Sequence, residues 1–548
     1  MNIKYSIIFT ICLLQFLFSH AQLSGSIESN SALFVNDNKI NLASNEATQK
    51  FRNNTYLRLD YKQKNISLGI QAESYLPKAL LNYSPDFKNA GLGTFYVQYN
   101  NDSLKINATV GHFYEQFGNG LVLRTWEDRQ LGIANSIMGI QVKVNTYKPL
   151  QITALHGKQR NGFSLTDGII TGINAELNLA EIIKSSKWQY TIGGSLVNRN
   201  EDVAGINKKN TLLTSTRFSI KKGLFYTDFE YAFKQAEPLV ENGIPNNNLA
   251  FDGDVYLLNL GFSKQRFGVN VNVRRTENFT VYSQQNLYGN AFNSGIISYV
   301  PALTKQFDYS LTNIYVYMAQ SRLTFNPIAT KAGELGGQVD LFYKIKPKTV
   351  FGGKYGTQIS INASKWNGLS GRYNTNQRKY KTNFLKSGTL NYHDWSIEIR
   401  KKWSKSYVNS FTITNQFYDA VQIEETFGHV NATTLVFDQT IDLSKQKSIR
   451  FDIQHQWANA IQGNWLAAST EINFNSKWTV FATDLYNYGN ENSTRRIHYY
   501  VAGFAFKPNA LRLQLSYGRQ RGGLQCIGGI CRFVTENAGF SMQLNYSF

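Results

Sequence analysis

The most constraining feature of this chain is a two-residue alternation of apolar and polar side chains that recurs from Leu23 to the last residue. Clear examples are residues 55–61, 66–72, 225–233, 449–457 and 511–517. Successive side chains of a β-strand point to opposite faces, so each segment predicts a strand with one apolar and one polar face. About 24 such strands fit the chain, within a range of 20 to 26 and always an even number.

The predicted connections alternate in length along the chain. Short linkers follow even-numbered strands, at residues 62–65, 100–103, 148–149, 221–223, 264–266, 346–348, 401–406, 444–448, 475–477 and 507–509. Longer linkers follow odd-numbered strands, at residues 77–91, 112–137, 234–253, 274–335, 365–388 and 518–538. Transmembrane barrels combine short periplasmic turns with long external loops, whereas a soluble β-sandwich has no reason to sort its connections. The pattern predicts an all-β transmembrane antiparallel barrel with both termini in the periplasm.

The last strand fits this architecture. Its apolar face continues to the final residue and consists of Phe540, Met542, Leu544, Tyr546 and Phe548. The alternative for this stretch alone is the closing strand of a soluble β-sandwich. The ending also resembles the C-terminal signal by which bacterial outer-membrane barrels are recognised for insertion, and we expect it to pair with the strand at Leu23.

Residues 1–21 are predicted to be a cleaved signal peptide. Lys4 supplies the positive region, residues 7–18 the apolar core, and Ser19-His20-Ala21 the cleavage site. Residues 22–548 then form a single barrel, exported to the bacterial outer membrane. After export the chain keeps Cys526 and Cys531, which favour one disulfide across a glycine turn; free thiols or a metal site are the weaker alternatives.

The formal charge of +20 is spread along the chain. Nucleic acid is the usual partner of so basic a protein, but export argues against it. Binding to anionic lipid head groups, or a lumen lined with cations, is a better explanation of the positive charge. Lysines crowd the short turns, as at Lys62, Lys64, Lys346 and Lys348. They are either simple soluble turn residues or contacts with a periplasmic partner or with lipid head groups.

A barrel of this size has a lumen too wide for its own side chains to fill. Because strand-like alternation begins directly after the signal, we expect any plug to come from loops. Residues 274–335 are the candidate plug, with an external flap as the alternative. Residues 278–335 are long enough to contain an extra hairpin. Residues 180–187 are predicted to hold a helical turn.

The most charged loop is residues 112–137. Glu115, Arg124, Glu127, Asp128 and Arg129 lie there among aromatics and glycines. They predict either an ion network that pins the loop to the wall or a constriction that selects solutes by charge. Residues 305–317 are a second candidate segment.

Enzyme signatures are not found in the sequence. The phosphate-binding Gly-x-x-x-x-Gly-Lys loop, the Gly-x-Ser-x-Gly elbow and the His-Glu-x-x-His helix are all missing. His112 and Glu115 are three residues apart, but in a barrel loop that spacing does not imply a shared helical face, so a metal site there is a weak alternative. Nothing in the sequence places Ser310 near His429. We therefore expect no catalytic, metal or cofactor site and no cofactor.

Three segments resemble a known family. They are YEQFGNGLVLRTWEDRQLG (114–132), YVPALTKQFDYSL (299–311) and YGRQRGGLQCIGGICRFV (517–534). They are similar to an uncharacterised family of large outer-membrane barrels from Bacteroidota, and the similarity extends over most of the chain. The resemblance implies export, the outer membrane and a single large barrel, with no agreed substrate or catalytic residue.

Several functions compete. A loop-gated channel of unknown solute with an anion preference is the first prediction, and a non-enzymatic scaffold of an envelope secretion or assembly machine is the alternative. TonB-type uptake ranks below both because an N-terminal plug and a coupling segment are missing from the sequence. Expected partners are outer-membrane lipid and lipopolysaccharide, the barrel-assembly machinery, and periplasmic proteins.

Overall fold

The fold is seen in a computed structural model that describes residues 22–40, 42, 49–81, 86–147, 149–184, 187–202, 210–241, 244–292, 294–426, 428–527 and 529–548. Its main element is one antiparallel sheet of 24 strands. The predicted fold class and strand number are thereby confirmed. The predicted signal peptide, residues 1–21, lies outside the described residues.

The barrel strands follow one another around the sheet in chain order. They are β1 (Gln22–Phe34), β2 (Phe51–Gln63), β3 (Ile66–Tyr75), β4 (Asn89–Asn101), β5 (Ile106–Phe113), β6 (Ile137–Tyr147), β7 (Leu150–Asn161), β8 (Ser164–Asn178), β9 (Gln189–Asn200), β10 (Asn210–Lys222), β11 (Phe225–Glu241), β12 (Ile244–Lys264), β13 (Phe267–Glu277), β14 (Gly333–Ile345), β15 (Thr357–Asn374), β16 (Lys379–Lys402), β17 (Tyr407–Asp419), β18 (His429–Asp442), β19 (Ser448–Ala458), β20 (Trp465–Asn473), β21 (Trp478–Tyr486), β22 (His498–Phe506), β23 (Leu511–Gln520) and β24 (Asn537–Ser547).

The sheet closes because β24 pairs with β1 as well as with β23. The closing register places Ser26 opposite Ser547. Beyond the strand end, Gly25 and Phe548 exchange two backbone hydrogen bonds of 2.9 Å. The predicted pairing of the last strand with the first is confirmed. Closure leaves no edge of unpaired backbone groups, which is what allows strands to lie in lipid.

The two faces of the strands match the predicted alternation. On β24, Phe540 is 55% exposed on the outer face. Met542, Leu544, Tyr546 and Phe548 share its face because side chains alternate along a strand. Gln543 opposes Gln514 of β23 on the inner face. An apolar outside and a polar inside are the pattern of outer-membrane barrels.

Both termini lie at one end of the barrel, here called the terminus end; the opposite end is called the loop end. Turns at the terminus end are mostly short, as at residues 64–65, 223–224 and 265–266, and most long loops lie at the loop end. Among the residues that the structure describes, helix is confined to short pieces at Leu179–Ile182, Ala420–Glu424, Tyr288–Phe292, Leu311–Asn313 and Ser493–Arg495. The first of these confirms the predicted helical turn. Within the described ranges, none of the helices is long and apolar enough to cross a membrane.

Three predicted connections were wrong. Residues 234–253 and 365–388 are not loops: β11 pairs with β12 as far as Glu241 and Ile244, and β15 pairs with β16 as far as Asn374 and Lys379. Beyond the membrane the backbone pairing continues, but apolar and polar side chains need not alternate there. The alternation that predicts strands is therefore missing from these segments of the sequence. The turn predicted at residues 346–348 extends over residues 346–356.

Two further predictions concern the loop end. Cys526 and Cys531 form the predicted disulfide, in a small hairpin of Gly523–Ile527 and Ile530–Val534. The extra hairpin considered for residues 278–335 is not found among the described residues there. Besides the start of β14, those residues contain short 3₁₀ turns and the isolated bridges of Tyr282 with Ile296 and of Thr324 with Lys331.

Candidate functional site

The inner wall carries two apolar arcs, which are unexpected on the polar face of a barrel. The aliphatic arc has one buried residue on each strand from β7 to β12: Leu155, Ile170, Val197, Leu213, Ala232 and Val255. The aromatic arc consists of Trp366, Tyr392, Tyr418, Trp465 and Tyr499, on β15, β16, β17, β20 and β22. Wall residues on the same inward face are polar, such as Ser195 and Gln456. Apolar groups on a lumen wall need a cover, and two loops supply it.

Loop A, residues 114–136, covers the aliphatic arc. Phe117 and residues 121–123 are almost completely buried against it. Next to them, the side-chain amide of Asn119 donates to Asp228 at 2.8 Å and to Glu230 at 2.9 Å, and its backbone N–H donates to Glu230 at 2.9 Å. Loop A therefore extends from its own strands, β5 and β6, across the lumen to β11.

The charged residues predicted in loop A form most of their ion pairs and hydrogen bonds with residues outside the loop. Glu115 lies 2.6 Å from the Lys143 ammonium of β6 and accepts a hydrogen bond of 2.8 Å from Gln141. Arg129 pairs with Glu28 of β1 at 2.5 Å and with Glu127 at 3.0 Å. Among the described residues, Arg129–Glu127 is the one direct ion pair between members of the predicted set.

The other two residues of that set have different roles. The Arg124 guanidinium lies 3.7 Å from the centroid of the Tyr299 ring and 5.2 Å from that of Trp126, a cation–π arrangement. Asp128 accepts the backbone N–H of Leu131 at 2.8 Å and so holds a turn. The geometry pins the loop to the wall and to its neighbours; selection of solutes by these charges stays a prediction.

Loop B, residues 278–332, is fastened where it leaves and rejoins the barrel. Arg274 of β13 and Glu334 of β14 form an ion pair of 2.6 Å with side chains only 1% and 0% exposed. The Glu334 carboxylate also accepts from the Tyr317 hydroxyl at 2.5 Å and from the Gln320 N–H at 2.6 Å, while Arg274 donates to the Pro301 carbonyl at 2.6 Å. We call these contacts the clasp.

The first half of loop B lies on loop A and the aliphatic arc. Phe279, Val281 and Ile297 are fully buried there. The two loops exchange backbone bonds, since the Arg124 N–H donates to the Ile297 carbonyl at 2.8 Å and the Tyr299 N–H to the Gly120 carbonyl at 3.0 Å. Loops A and B therefore pack as one body, which we call the plug.

The second half of loop B lies on the aromatic arc. Leu311 is held by two wall glutamines: its N–H donates to Gln454 at 2.9 Å and its carbonyl accepts from Gln456 at 2.9 Å. The Tyr317 ring stacks with Tyr392 at 5.1 Å between centroids. Burial raises the pKa of Tyr315 to about 12, so this phenol stays neutral. The predicted candidate segment 305–317 therefore lies inside the lumen, and the expectation that loop B folds inward is confirmed.

The disulfide hairpin, residues 523–534, contacts the plug from the loop end. The Ala302 N–H donates to the Gly529 carbonyl at 2.9 Å, and Leu524 and Cys531 pack on Val316. Gly529 has φ +79°, and a Cβ there would lie 2.6 Å from the Ala302 carbonyl oxygen. Only glycine fits this approach.

The plug separates cavities at its two ends. Two adjacent cavities of about 620 and 590 Å³ lie toward the loop end and share Arg322 in their lining. A third, of about 470 Å³, lies nearer the terminus end, and its charged lining residues are Lys305, Asp308, Glu398, Arg400, Asp438 and Arg450. Residues 310–317 of loop B connect, along the chain, the residues that line the first cavity with those that line the third.

No catalytic arrangement emerges in the part of the chain that the structure describes. No three His, Cys, Asp or Glu side chains there come together as a metal site. The His112 ring pairs with the Ser136 hydroxyl at 3.1 Å, while Glu115 pairs with Lys143. Ser310 approaches Gln454, and His429 lies beside Phe417, so the two are not brought together.

A family model places this chain among known sequences. The model of a family of unknown function, DUF6029, matches residues 2–548. The chain belongs to this family. Among curated proteins, none matches this DUF6029 member.

Several solved structures are remotely similar to this DUF6029 protein. The siderophore receptor PirA from Pseudomonas aeruginosa is 5% identical, with 96% of this chain and 80% of that chain covered and a TM-score of 0.42. The P pilus usher (PapC) translocation pore is 9% identical, with 96% and 99% covered and a TM-score of 0.43. A BenF-like porin from Pseudomonas fluorescens Pf-5 is 9% identical, with 81% and 98% covered and a TM-score of 0.34. None of these similarities identifies a solute or an activity.

The two arcs are the functional feature that sequence reasoning missed. Their signal is a pair of adjacent apolar residues within an alternating strand, as at Ile169-Ile170, Leu212-Leu213 and Trp465-Leu466. Such a pair places one apolar side chain on each face of the strand. Doubled positions on neighbouring strands therefore indicate an apolar patch inside as well as outside.

Proposed function

We propose that this protein is a loop-gated channel of the bacterial outer membrane, closed at rest by loops A and B. The observation that carries the proposal is the clasp together with the two arcs, because in the described part of the chain it is loops that occupy the lumen. Each loop is attached at both ends to barrel strands. It is therefore able to move out of the lumen without breaking the backbone pairing of the wall.

An anion preference is part of the proposal, and the excess of positive charge over the whole chain supports it. The formal net charge is +20. The terminus-end cavity is lined by Lys305, Arg400 and Arg450 and equally by Asp308, Glu398 and Asp438, so the charges of its own lining balance. Rings of basic side chains in a pore favour anions, and removing the three basic residues would leave only the carboxylates there.

Location and partners complete the proposal. We infer export through a cleaved signal peptide at residues 1–21 and insertion by the barrel-assembly machinery, which would read the Phe540–Phe548 face. Outer-membrane lipid and lipopolysaccharide would surround the barrel. Origin in Bacteroidota is the expectation from the sequence resemblance, and we propose no enzymatic activity and no cofactor.

Planar-bilayer recording of the purified protein tests the channel. We expect rare openings of the natural protein, frequent openings when the clasp is weakened by Glu334→Gln, and a reversal potential that favours chloride over potassium. Replacing Lys305, Arg400 and Arg450 with glutamine should reduce that preference without lowering the number of inserted barrels. Silence of both the natural protein and the Glu334→Gln variant would contradict the channel.

A scaffold role in an envelope machine is the second candidate, and the apolar packing of loops A and B on the two arcs favours it. If the loops stay in the lumen, the terminus-end turns and the paired extensions of β11–β12 and β15–β16 at the loop end are the surfaces that remain for partner proteins. Affinity purification in mild detergent should then recover stable envelope proteins in stoichiometric amounts. Recovery of the barrel alone would contradict the scaffold and leave the channel standing.

A further inference from the structure

Two turns at the terminus end are long, residues 179–188 and residues 346–356, and the second exposes its apolar side chains more completely. Residues 346–356 connect β14 to β15 and expose Val350 to 91% and Phe351 to 77%. These exposures are high for apolar side chains. Nearly complete exposure of two adjacent apolar residues at the end of a membrane barrel indicates a surface that binds a membrane or another molecule.

The turn folds over the outside of the barrel rim. Thr357 lies on the outer face of β15, two positions from Ile359 and four from Ile361, because Ser360 and Asn362 are buried on the inner face. The Thr357 hydroxyl donates to the Phe351 carbonyl at 2.8 Å. A Cβ on Gly353 would lie 3.4 Å from Cε of Lys401, which is the register partner of Thr357. The exposed pair is therefore attached to the face of the barrel that meets lipid.

The backbone of the turn is well ordered by its own hydrogen bonds. The Lys348 N–H donates to the Gly353 carbonyl at 2.6 Å, and the Gly353 N–H donates to the Thr349 carbonyl at 2.8 Å. The Thr349 hydroxyl donates to the Lys346 carbonyl at 2.8 Å. Val350 and Phe351 are thus presented at a fixed tip and are not spread over a loose segment.

The surroundings of the tip are cationic. Residues 344–357 and the neighbouring turn, residues 400–407, contain no Asp or Glu and contribute these lysines: Lys344, Lys346, Lys348, Lys354, Lys401, Lys402 and Lys405. The Lys401 ammonium lies 4.2 Å from the Trp403 ring centroid, and Lys354 and Lys402 lie 5.6 and 5.7 Å from that of Tyr355. Lysines beside exposed aromatics are the composition of a membrane–water interface.

We propose that residues 346–356 form an interfacial anchor. Val350 and Phe351 enter the leaflet at the terminus end, and Lys348, Lys354, Lys401 and Lys402 bind the phosphate groups of anionic phospholipids. Charge complementarity and the attachment of the turn to the lipid-facing side favour a lipid over a periplasmic protein. The proposal rests on the membrane location given above.

A nitroxide at Phe351→Cys tests the insertion of the tip, because Cys526 and Cys531 are joined to each other and do not take up the label. In vesicles of phosphatidylethanolamine and phosphatidylglycerol, we expect the label to meet oxygen more than a water-soluble nickel chelate. The matched control is Gln446→Cys in the lysine-containing turn between β18 and β19, where the nickel chelate should dominate. Position 351 behaving like position 446 would overturn the anchor.

A third label separates this proposal from the membrane location itself. Ile361 is 40% exposed on the lipid face of β15, and a nitroxide there should lie in the hydrocarbon region. If the label at Ile361→Cys is in lipid and the label at Phe351→Cys is in water, only the anchor fails. If both are in water, the membrane barrel fails as well.

The charge component has its own measurement. Native mass spectrometry of the barrel with added phosphatidylglycerol gives an apparent dissociation constant. Replacing Lys348, Lys354, Lys401 and Lys402 with glutamine should weaken binding roughly tenfold or more, since each lysine near an anionic surface contributes on the order of a fivefold factor. A matched variant that replaces Lys62, Lys64, Lys445 and Lys447 should weaken binding less, because the proposed phosphate site lies at residues 346–356 and 400–407. Equal effects of the two variants would overturn the assignment of the phosphate site.

Discussion

Glu334 joins loop B to the barrel wall through a single side chain. One buried carboxylate receives hydrogen bonds from the Arg274 guanidinium, the Tyr317 hydroxyl and the Gln320 backbone. These donors come from the barrel wall and from loop B. The clasp thereby couples the position of the loop to the register of β13 and β14.

Replacing Glu334 with glutamine should release loop B. The amide lacks the charge that Arg274 requires, and removing one partner of a buried ion pair costs about 3–5 kcal/mol. We expect faster deuterium exchange across the backbone of loop B, with the exchange of the barrel strands unchanged. Asp60→Asn is the matched control, because the Arg58–Asp60 pair is partly exposed and contributes less than about 1 kcal/mol. Protection of loop B equal to that of the natural protein would contradict the role of the clasp.

The charged residues of loop A show how much the sequence predicts at this scale. Their kind of interaction was predictable, since opposite charges in a short aromatic loop favour ion pairs. Their partners were not, because Glu28 and Lys143 lie on β1 and β6. Only strand register and the closure of the barrel bring those residues to the loop.

At the scale of elements, the arcs explain why loops A and B lie inside. The aliphatic arc places one buried apolar side chain on each of six consecutive strands, the aromatic arc places five on strands between β15 and β22, and the loops bury theirs against them. Removing such surfaces from water stabilises the plug by roughly 25 cal/mol per Å². Hydrogen bonds from wall glutamines then set the register, as Gln454 and Gln456 do for Leu311.

Phe117→Ala should loosen loop A. The ring is fully buried on the aliphatic arc, and Phe-to-Ala changes in a packed core cost about 3–5 kcal/mol. We expect faster trypsin cleavage at Arg124 and Arg129, measured by peptide mass spectrometry. Phe218→Ala, on the outer face of β10, removes the same ring from the lipid side and should leave cleavage unchanged. Equal cleavage of the Phe117→Ala variant and the natural protein would show that the arc does not hold the loop.

The last strand makes a separate prediction. Deleting residues 546–548 removes the backbone bonds between Phe548 and Gly25 and the pairing of Tyr546 with Ile27 and Leu511. The barrel then fails to close at the terminus end, and the terminal aromatic signal is lost. We expect the truncated chain to lack heat-modifiable migration in gels, and normal migration would contradict this role.

At the scale of the whole molecule, the parts of the fold that could be predicted from the sequence are those that lie in the membrane. Within the membrane every strand must alternate, so the fold class, the 24 strands and the closing pair followed from the sequence. Outside it that constraint ends, and the paired extensions of β11–β12 and β15–β16 were predicted as loops. The inner face must also contact loops A and B. The apolar positions that make this contact form a recognisable pattern only when neighbouring strands are aligned in register.

Removing the plug tests the central claim, that loop B closes a channel through this barrel. The deletion should take out residues 279–331 and join the ends with a short glycine–serine turn, so that Arg274 and Glu334 stay in their strands. In planar bilayers we predict a large, steady conductance for this variant and rare, brief openings for the natural protein, at equal numbers of folded barrels. A deleted form that folds and inserts but conducts no more than the natural protein would contradict the account.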